Sequence, residues 1–315
     1  IFDFVNGFHD AANSISTIVA TRVLTPFQAV FMASFWNFIG AFVFTLAIAK
    51  TVGSGIIVKE AAVVHVLLAA LIGAIIWNII TWRLGLPSSS SHALIGGLVG
   101  AAIAFGGINT IQFSGLNKTL LFIVLAPLLG IVSAILFTVV VFSISRWFSP
   151  IAINSWFKRL QLVSASWYSL GHGTNDAQKT MGVIAAVLFS AGFIDSFRID
   201  MWVILAAHAA IALGTLAGGW RIVKTMGMRL TKLRPVDGFC AESGGALTLL
   251  GTAHFGIPVS TTHVIASSIM GVGLSKRVSG VRWGVARKII LAWLLTIPMS
   301  AFFAAVSHVL ISKQL

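Results

Sequence analysis

The chain consists of long apolar segments separated by short polar breaks. Hydropathy, with Gly, Pro and charged residues marking the breaks, predicts ten such segments. They cover residues 1–20, 27–49, 61–82, 92–106, 119–145, 162–192, 201–220, 238–254, 262–275 and 284–311. A helix that crosses a bilayer needs about 20 apolar residues, so this pattern predicts an all-α polytopic membrane protein and excludes an ordinary soluble domain.

The charged residues support a membrane location. Only 9% of the residues are charged, against roughly 25% in soluble domains. The excess of 21 Lys and Arg over 8 Asp and Glu would suggest nucleic-acid binding in a soluble protein. In a membrane protein, Lys and Arg accumulate in cytoplasmic loops. We therefore predict an integral protein of a prokaryotic inner (plasma) membrane, surrounded by lipid, with no nucleic-acid partner.

Short motifs in the first half of the sequence recur in the second half in the same order. The matched pairs are 6–11 with 172–177, 50–53 with 224–227, and 85–92 with 256–263. The spacing between partners differs by only a few residues, and the last spacing also places Pro127 on Pro298. Fixed spacing of this kind indicates internal repeats. The sequence predicts two repeats, residues 1–150 and 151–315, within one integrated transmembrane domain.

The repeats are expected to have opposite orientations in the membrane. Five elements per repeat is an odd number, and fifteen of the 21 Lys and Arg fall on one side of the resulting topology and five on the other. The short segments 92–106 and 262–275 each follow a Pro/Ser/Thr turn. They predict broken helices and helical hairpins that enter from opposite faces and meet near the midplane, as in inverted-repeat transporters.

Two aspartates occupy equivalent positions in apolar segments. An ionised carboxylate inside a bilayer costs roughly 2.5–3.5 kcal/mol on insertion scales, so Asp10 and Asp176 suggest cation coordination or proton exchange. We expect Gly7 and Gly173 to let the helices unwind and expose carbonyl ligands. The alternative is simple hydrogen bonding between helices. The predicted cation ligands are Asn6, His9, Asp10, Asn175, Asp176 and Glu242, with sodium possible at Asp10 and Asp176. Asn13 beside Asp10, and His172, Gln178 and Lys179 beside Asp176, offer further oxygen and nitrogen atoms.

The two hydroxyl-rich turns suggest an anion site. Pro87 or Pro258 ends one helix, the hydroxyl run forms the turn, and the next helix is expected to begin at His92 or His263, so free N–H groups and the positive helix end face the turn. The hydroxyls could serve only as helix caps. His92 and His263 are expected to pack locally, and Lys179 could neutralise Asp176 or bind an anion. The predicted anion ligands are Asp10, Asn13, Ser89, Ser90, Ser91, Asp176, Lys179, Ser260, Thr261 and Thr262.

These motifs resemble the PiT-type inorganic phosphate transporters, which are related to the animal sodium-phosphate cotransporters. The resemblance rests on residues 6–13, 85–92, 172–179 and 256–263 and covers essentially the whole chain. It implies uptake of inorganic phosphate driven by sodium or protons, an inverted-repeat fold with hairpins, and a homodimer. Asn37 stands where animal members have a glutamate, so the animal coupling stoichiometry does not transfer directly.

The sequence thus predicts a symporter that works by alternating access, with no cofactor other than its coupling ion. A sulfate or metal-phosphate permease of the same family stays open as an alternative. An intramembrane hydrolase using Ser91 or Thr262 is the alternative from another class. The duplication argues against it, because an enzyme has one site of unlike residues.

Overall fold

The computed structural model describes residues 1–43 and 46–314 and is almost entirely helical in those ranges. Short 3-10 turns and one π-helical segment, Lys224–Leu230, connect some of the helices. The α-helices are α1 (Phe2–Ala20), α2 (Pro26–Ile39), α3 (Ala47–Gly55), α4 (Val64–Leu84), α5 (Ser90–Gly106), α6 (Phe113–Ser145), α7 (Pro150–Ser190), α8 (Met201–Ala217), α9 (Trp220–Val223), α10 (Pro235–His254), α11 (Thr261–Lys276) and α12 (Trp283–Ser312).

The order of elements in the first half recurs in the second. Helices α1 and α7 begin the series, and the two-part segment α2–α3 corresponds to α8 with α9 and the π-helical segment. The hairpin α4–α5 then corresponds to α10–α11, and each half ends in a long helix with an internal proline, Pro127 in α6 and Pro298 in α12. Two isolated antiparallel β-bridges, Ile57–Ile111 and Thr231–Val281, also lie at equivalent positions in the two halves.

Each hairpin turns through the same local chemistry. Gly85 and Gly256 have φ of 66° and 63°, a left-handed conformation that glycine adopts readily. It ends the first arm of each hairpin, and a proline follows two residues later. Ser89 and Ser260 then cap the second arms by accepting hydrogen bonds from the backbone N–H groups of His92 and His263. The predicted hydroxyl caps are therefore present.

Each hairpin tip contacts the segment that leads into the other hairpin. Thr225 donates a hydrogen bond to the carbonyl of Gly85, in the first tip, and Thr51 donates to the carbonyl of Gly256, in the second. Thr225 belongs to the π-helical segment that leads into the second hairpin, whereas Thr51 lies on α3, which leads into the first. Each tip is thus held by the other half of the chain. The opposite orientation of the two hairpins in a membrane stays a prediction.

The last helix of each half packs against the hairpin of the other half. Helix α6 packs on α10 and α11, whereas α12 packs on α4 and α5. Among the described residues, three helices are long and apolar enough to cross a membrane, namely α4, α6 and α12. Two bent pairs, α2 with α3 and α8 with α9 and the π-helical segment, raise the number to five if each pair is counted as one span.

The polar helix α1 is surrounded by elements of both halves. Polar residues in membrane helices face the bundle interior, which explains this central position.

The expectation that α1 and α7 unwind at Gly7 and Gly173 is wrong. Both helices run without interruption through these residues. The glycines instead allow close approach of helix backbones: a Cβ at Gly7 would collide with the backbone of Ile211, and one at Gly173 with that of Asn37. Small residues commonly serve this purpose at helix contacts in membranes.

Gly173→Ala is therefore expected to destabilise the protein by about 1–3 kcal/mol, the usual cost of overpacking. Gly251→Ala on α10 is the matched control, because a Cβ there meets nothing within 4 Å. Its expected effect is neutral or a gain of up to about 1 kcal/mol from helix propensity. Thermal unfolding of both variants in detergent checks this, and equal midpoints for the two would contradict the packing role of Gly173.

Candidate functional site

Asp10 lies where helix α1 meets the start of α5. Its Oδ2 accepts a hydrogen bond from the Ser90 hydroxyl at 2.6 Å, and its Oδ1 lies 2.6 Å from Nδ1 of His9. The Ser90 hydroxyl is also 2.5 Å from Oδ1 of Asn6, one turn earlier on α1. The first residue of α5 therefore sits between two predicted ligands of α1.

Asp176 occupies the equivalent place on α7 against the start of α11. Its Oδ2 accepts a hydrogen bond from the Thr261 hydroxyl at 2.9 Å and lies 3.2 Å from Nε2 of His172. Its Oδ1 is 2.5 Å from the ammonium group of Lys179. Thr261 is the first residue of α11, as Ser90 is of α5, so each aspartate bonds to the first residue of the second hairpin arm in its own half.

Two further side chains connect each first helix to the hairpin of the other half. Lys179 donates to the Ser91 hydroxyl at 2.5 Å and to the carbonyl of Val259 at 2.8 Å. Asn13, its equivalent on α1, donates to the hydroxyls of Thr261 and Thr262 at 3.2 and 2.9 Å. Lys179 thus pairs with Asp176, as one of its two predicted roles requires, and its contact with an anion stays a prediction.

The two halves together form a cluster of possible cation ligands. One ligand atom from each of Asp10, His172 and Asp176 lies within 4.8 Å of the other two, and all three residues are buried. His172 is among the further ligands that the sequence suggests beside Asp176. It occupies the position equivalent to Asn6, so the repeat alignment also points to it.

The His9 imidazole contacts the first hairpin as well as Asp10. Its Nε2 lies 3.1 Å from the Thr81 hydroxyl and 3.2 Å from the Ser88 hydroxyl. These residues belong to the end of α4 and the turn that follows. The imidazole therefore connects Asp10 to the first hairpin through Thr81 and Ser88. Motif matching does not identify these two residues as its partners.

The other predicted residues have different surroundings. The hydroxyls of Ser89 and Ser260 are engaged in helix capping. The Asn175 side-chain amide is buried without a hydrogen-bond partner among the described residues. His92 and His263 pack edge to face, with ring centroids 4.5 Å apart, in agreement with the local packing expected of them.

Glu242 belongs to a separate polar cluster. Its carboxylate accepts hydrogen bonds from Gln161 at 2.9 Å and Ser164 at 2.5 Å. Ser164 precedes Asp176 by twelve residues on the continuous helix α7, which is about 18 Å along the helix axis. The structure thus does not bring Glu242 together with the two aspartates.

The central cluster combines donors for an oxyanion with carboxylates for a cation. Hydroxyls, an amide and an ammonium group face it, and the positive ends of α5 and α11 both point at it. Two aspartates against one lysine give it one excess negative charge when the carboxylates are ionised. Every residue that forms it is at most 4% exposed: Asp10, Asn13, Ser90, Ser91, His172, Asp176, Lys179, Thr261 and Thr262. The arrangement suits an anion and a cation bound next to each other in a site closed to solvent.

Comparisons with known proteins agree with this chemistry. The sequence profile of the phosphate transporter family matches residues 6–152 and 145–304 of this chain. A "Probable low-affinity inorganic phosphate transporter" of Rhizobium meliloti (strain 1021) is 56% identical over 308 residues, which are 98% of this chain and 92% of the relative. A protein of the same name in Bacillus subtilis (strain 168) is 43% identical over 316 residues, with 99% and 94% covered. Among solved structures, "The sodium-dependent phosphate transporter" matches with a TM-score of 0.89 and 26% identity, covering 100% of this chain and 97% of that one.

Proposed function

Because the chain belongs to the phosphate transporter family, we propose that it takes up inorganic phosphate in symport with sodium by alternating access. It is an integral membrane protein and a transporter, as its relatives are, which removes the hydrolase alternative. One observation carries the proposal: Asp10, His172 and Asp176 lie together where the starts of α5 and α11 converge. The name of the structural neighbour favours sodium over protons.

The anion contacts are assigned to the two hydroxyl turns. Ser90, Ser91, Thr261 and Thr262 supply hydroxyl donors, and the first turns of α5 and α11 supply free backbone N–H groups. Lys179 and Asn13 complete the donors from the side of α7 and α1. Ser89 and Ser260 act by holding the helix starts in place, since their hydroxyls cap the helices.

The cation contacts are assigned to the carboxylates. Asp10 and Asp176 supply hard oxygen ligands of the kind that sodium prefers, with His9 and His172 orienting them. Asn6 and Asn175 offer amide oxygens beside the cluster. Glu242 on α10 contacts Ser164, which lies about 18 Å from Asp176 along the axis of α7, so a cation held by Glu242 would occupy a separate site. The homodimer and the absence of a cofactor stay predictions.

Charge balance supplies the coupling. The cluster has one excess negative charge, and phosphate adds one or two more. A net charge of this size inside a bilayer is costly, so the occupied site needs cations before it can pass from one face to the other. Bound sodium therefore makes the movement of phosphate possible, and downhill entry of sodium drives uptake.

The closed arrangement supports alternating access. Phosphate can reach the buried cluster only when a hairpin tip moves away from α1 or α7. Each tip is held there largely by side-chain hydrogen bonds, such as those of Lys179 to Ser91 and of Asn13 to Thr262. With the two repeats inverted, as the sequence predicts, movement of one tip opens a path toward one face and movement of the other opens a path toward the opposite face.

Purified protein in liposomes is expected to accumulate labelled phosphate when an inward sodium gradient is imposed at equal pH on both sides. An inward proton gradient without sodium is expected to give only background uptake, since carboxylate and hydroxyl ligands suit a metal cation. Phosphate retained in the vesicles and recovered unchanged shows transport. Full uptake with the proton gradient alone would overturn sodium coupling while leaving phosphate transport intact.

Arsenate is expected to compete with phosphate, and sulfate is not. Phosphate and arsenate near neutral pH carry a hydroxyl that donates a hydrogen bond to Asp10 or Asp176, whereas ionised sulfate meets the carboxylate with a lone pair. An unmet contact of this kind costs about 1–3 kcal/mol, or roughly 5- to 150-fold in affinity. Competition in the liposome assay measures it, and equal inhibition by sulfate and arsenate would contradict this basis for selectivity and favour a sulfate permease.

A further inference from the structure

A cavity of about 370 Å³ lies far from the central cluster, where the end of α6 meets the starts of α7 and α10. Its wall is largely apolar, and two arginines border it. The residues that matter here are Phe142, Arg146, Phe148, Ile153, Arg234 and Val236. Phosphate transport as proposed above makes no use of this cavity.

The charge around the cavity is positive. Asp237 lies beside it. Its Oδ2 accepts a hydrogen bond from the backbone N–H of Arg234 and lies 3.3 Å from Nε of Arg234 and 2.6 Å from Nζ of Lys276. One carboxylate against Arg146, Arg234 and Lys276 leaves two positive charges in excess. The guanidinium of Arg234 also lies over the Phe142 ring at 5.6 Å. Helices α7 and α10 both begin at the cavity, so their positive ends add to this field.

Aromatic side chains place the cavity at a membrane–water boundary. Trp147 is 76% exposed and Trp156 49% exposed, and Phe148 packs against Trp156 with ring centroids 5.1 Å apart. Exposed tryptophans of membrane proteins concentrate at the level of lipid headgroups. Arg146 and Arg234 also lie on the side of the chain that carries most of the Lys and Arg, the predicted cytoplasmic side.

We propose that this cavity binds an anionic phospholipid, with the headgroup phosphate between Arg146 and Arg234 and an acyl chain along Phe142, Ile153 and Val236. Basic pockets between membrane helices on the cytoplasmic side recognise anionic headgroups. The apolar wall selects a lipid over free phosphate, because free phosphate gains nothing from apolar contacts. A bound lipid joins α6 to α7, the helix that carries Asp176 and Lys179.

The test uses native mass spectrometry of the full chain in mild detergent, with phosphatidylglycerol and phosphatidylcholine titrated separately. Phosphatidylglycerol is expected to bind at least about tenfold more tightly. Each arginine near an anionic headgroup is worth about fivefold in affinity, so Arg146→Gln/Arg234→Gln is expected to lose about 25-fold. Arg277→Gln/Arg287→Gln removes the same charge from the same side and is expected to bind as the wild type does.

A second variant separates lipid from free phosphate. Ile153→Trp fills the apolar part of the cavity and keeps both arginines, so it is expected to lose phosphatidylglycerol binding. Size-exclusion elution as a single folded peak checks that each variant is intact. If the double arginine variant fails this check, Arg146→Gln and Arg234→Gln replace it, and if Ile153→Trp fails, the smaller change Ile153→Phe replaces it.

Three results would overturn the proposal. The first is equal binding of phosphatidylglycerol and phosphatidylcholine. The second is an equal loss in the control pair Arg277→Gln/Arg287→Gln, which would indicate general surface attraction. The third is binding of inorganic phosphate that depends on Arg146 and Arg234 and survives in Ile153→Trp, which would assign the arginines to the free anion. None of these results bears on sodium-coupled uptake.

Discussion

Asp10→Asn and Asp176→Asn are each expected to reduce sodium-driven phosphate uptake by about 100-fold or more. Asparagine has nearly the same shape and still accepts a hydrogen bond from Ser90 or Thr261, but it removes the charge that holds the cation. Removing one member of a buried, hydrogen-bonded charge pair costs roughly 2–5 kcal/mol, and every 1.4 kcal/mol is tenfold in affinity. Uptake of labelled phosphate into liposomes measures the effect.

Asp195→Asn is the matched control, since Asp195 is exposed in the connection between α7 and α8. It is expected to leave uptake unchanged. Unfolding in detergent, followed for all three variants, separates loss of function from loss of structure. Near-normal uptake by folded Asp10→Asn and Asp176→Asn would remove both carboxylates from the mechanism.

Lys179→Met is expected to lower the free energy of unfolding by about 3–5 kcal/mol, because it leaves the Asp176 carboxylate buried without its cationic partner. The double variant Asp176→Asn/Lys179→Met removes both charges and is expected to regain most of that stability. Both variants are expected to lose uptake, since the double variant lacks the cation ligand and the ammonium donor to Ser91. Thermal unfolding in detergent and liposome uptake, measured on the same preparations, give the two readouts.

Lys50→Met is the corresponding control, because Lys50 is exposed on α3. Its unfolding midpoint is expected to match that of the wild type. A wild-type midpoint for Lys179→Met, or a double variant no more stable than the single one, would show that the 2.5 Å contact between Lys179 and Asp176 does not act as a buried charge pair.

Motif matching identified most of the residues that the structure brings together in the central cluster, because these residues are duplicated. Asn13 follows Asp10 by three residues, as Lys179 follows Asp176. In the structure, Asn13 and Lys179 each donate a hydrogen bond to a hydroxyl of the other half's hairpin. The same alignment pairs His172 with Asn6. It gives no location for Glu242, because an acidic residue in an apolar helix looks the same in sequence whether it faces the central cluster or a neighbouring glutamine and serine.

The glycines show a different limit. Gly7 and Gly173 were expected to break their helices, because glycine in a transporter helix often marks an unwound segment. Glycine equally permits two backbones to touch, and only the position of Ile211 and Asn37 beside them distinguishes the two uses. The presence of a glycine in the sequence therefore does not distinguish a break in a helix from a close contact between two helices.

The sequence by itself determined the membrane fold class, the repeated order of elements and the two hydroxyl turns, because hydropathy, spacing, and Gly, Pro and Ser punctuation act over short stretches of chain. The tertiary structure alone decided that α6 packs on the second hairpin and α12 on the first, and that Lys179 reaches from α7 to Ser91. Those contacts join residues far apart in the chain, and their geometry depends on how all the helices pack at once.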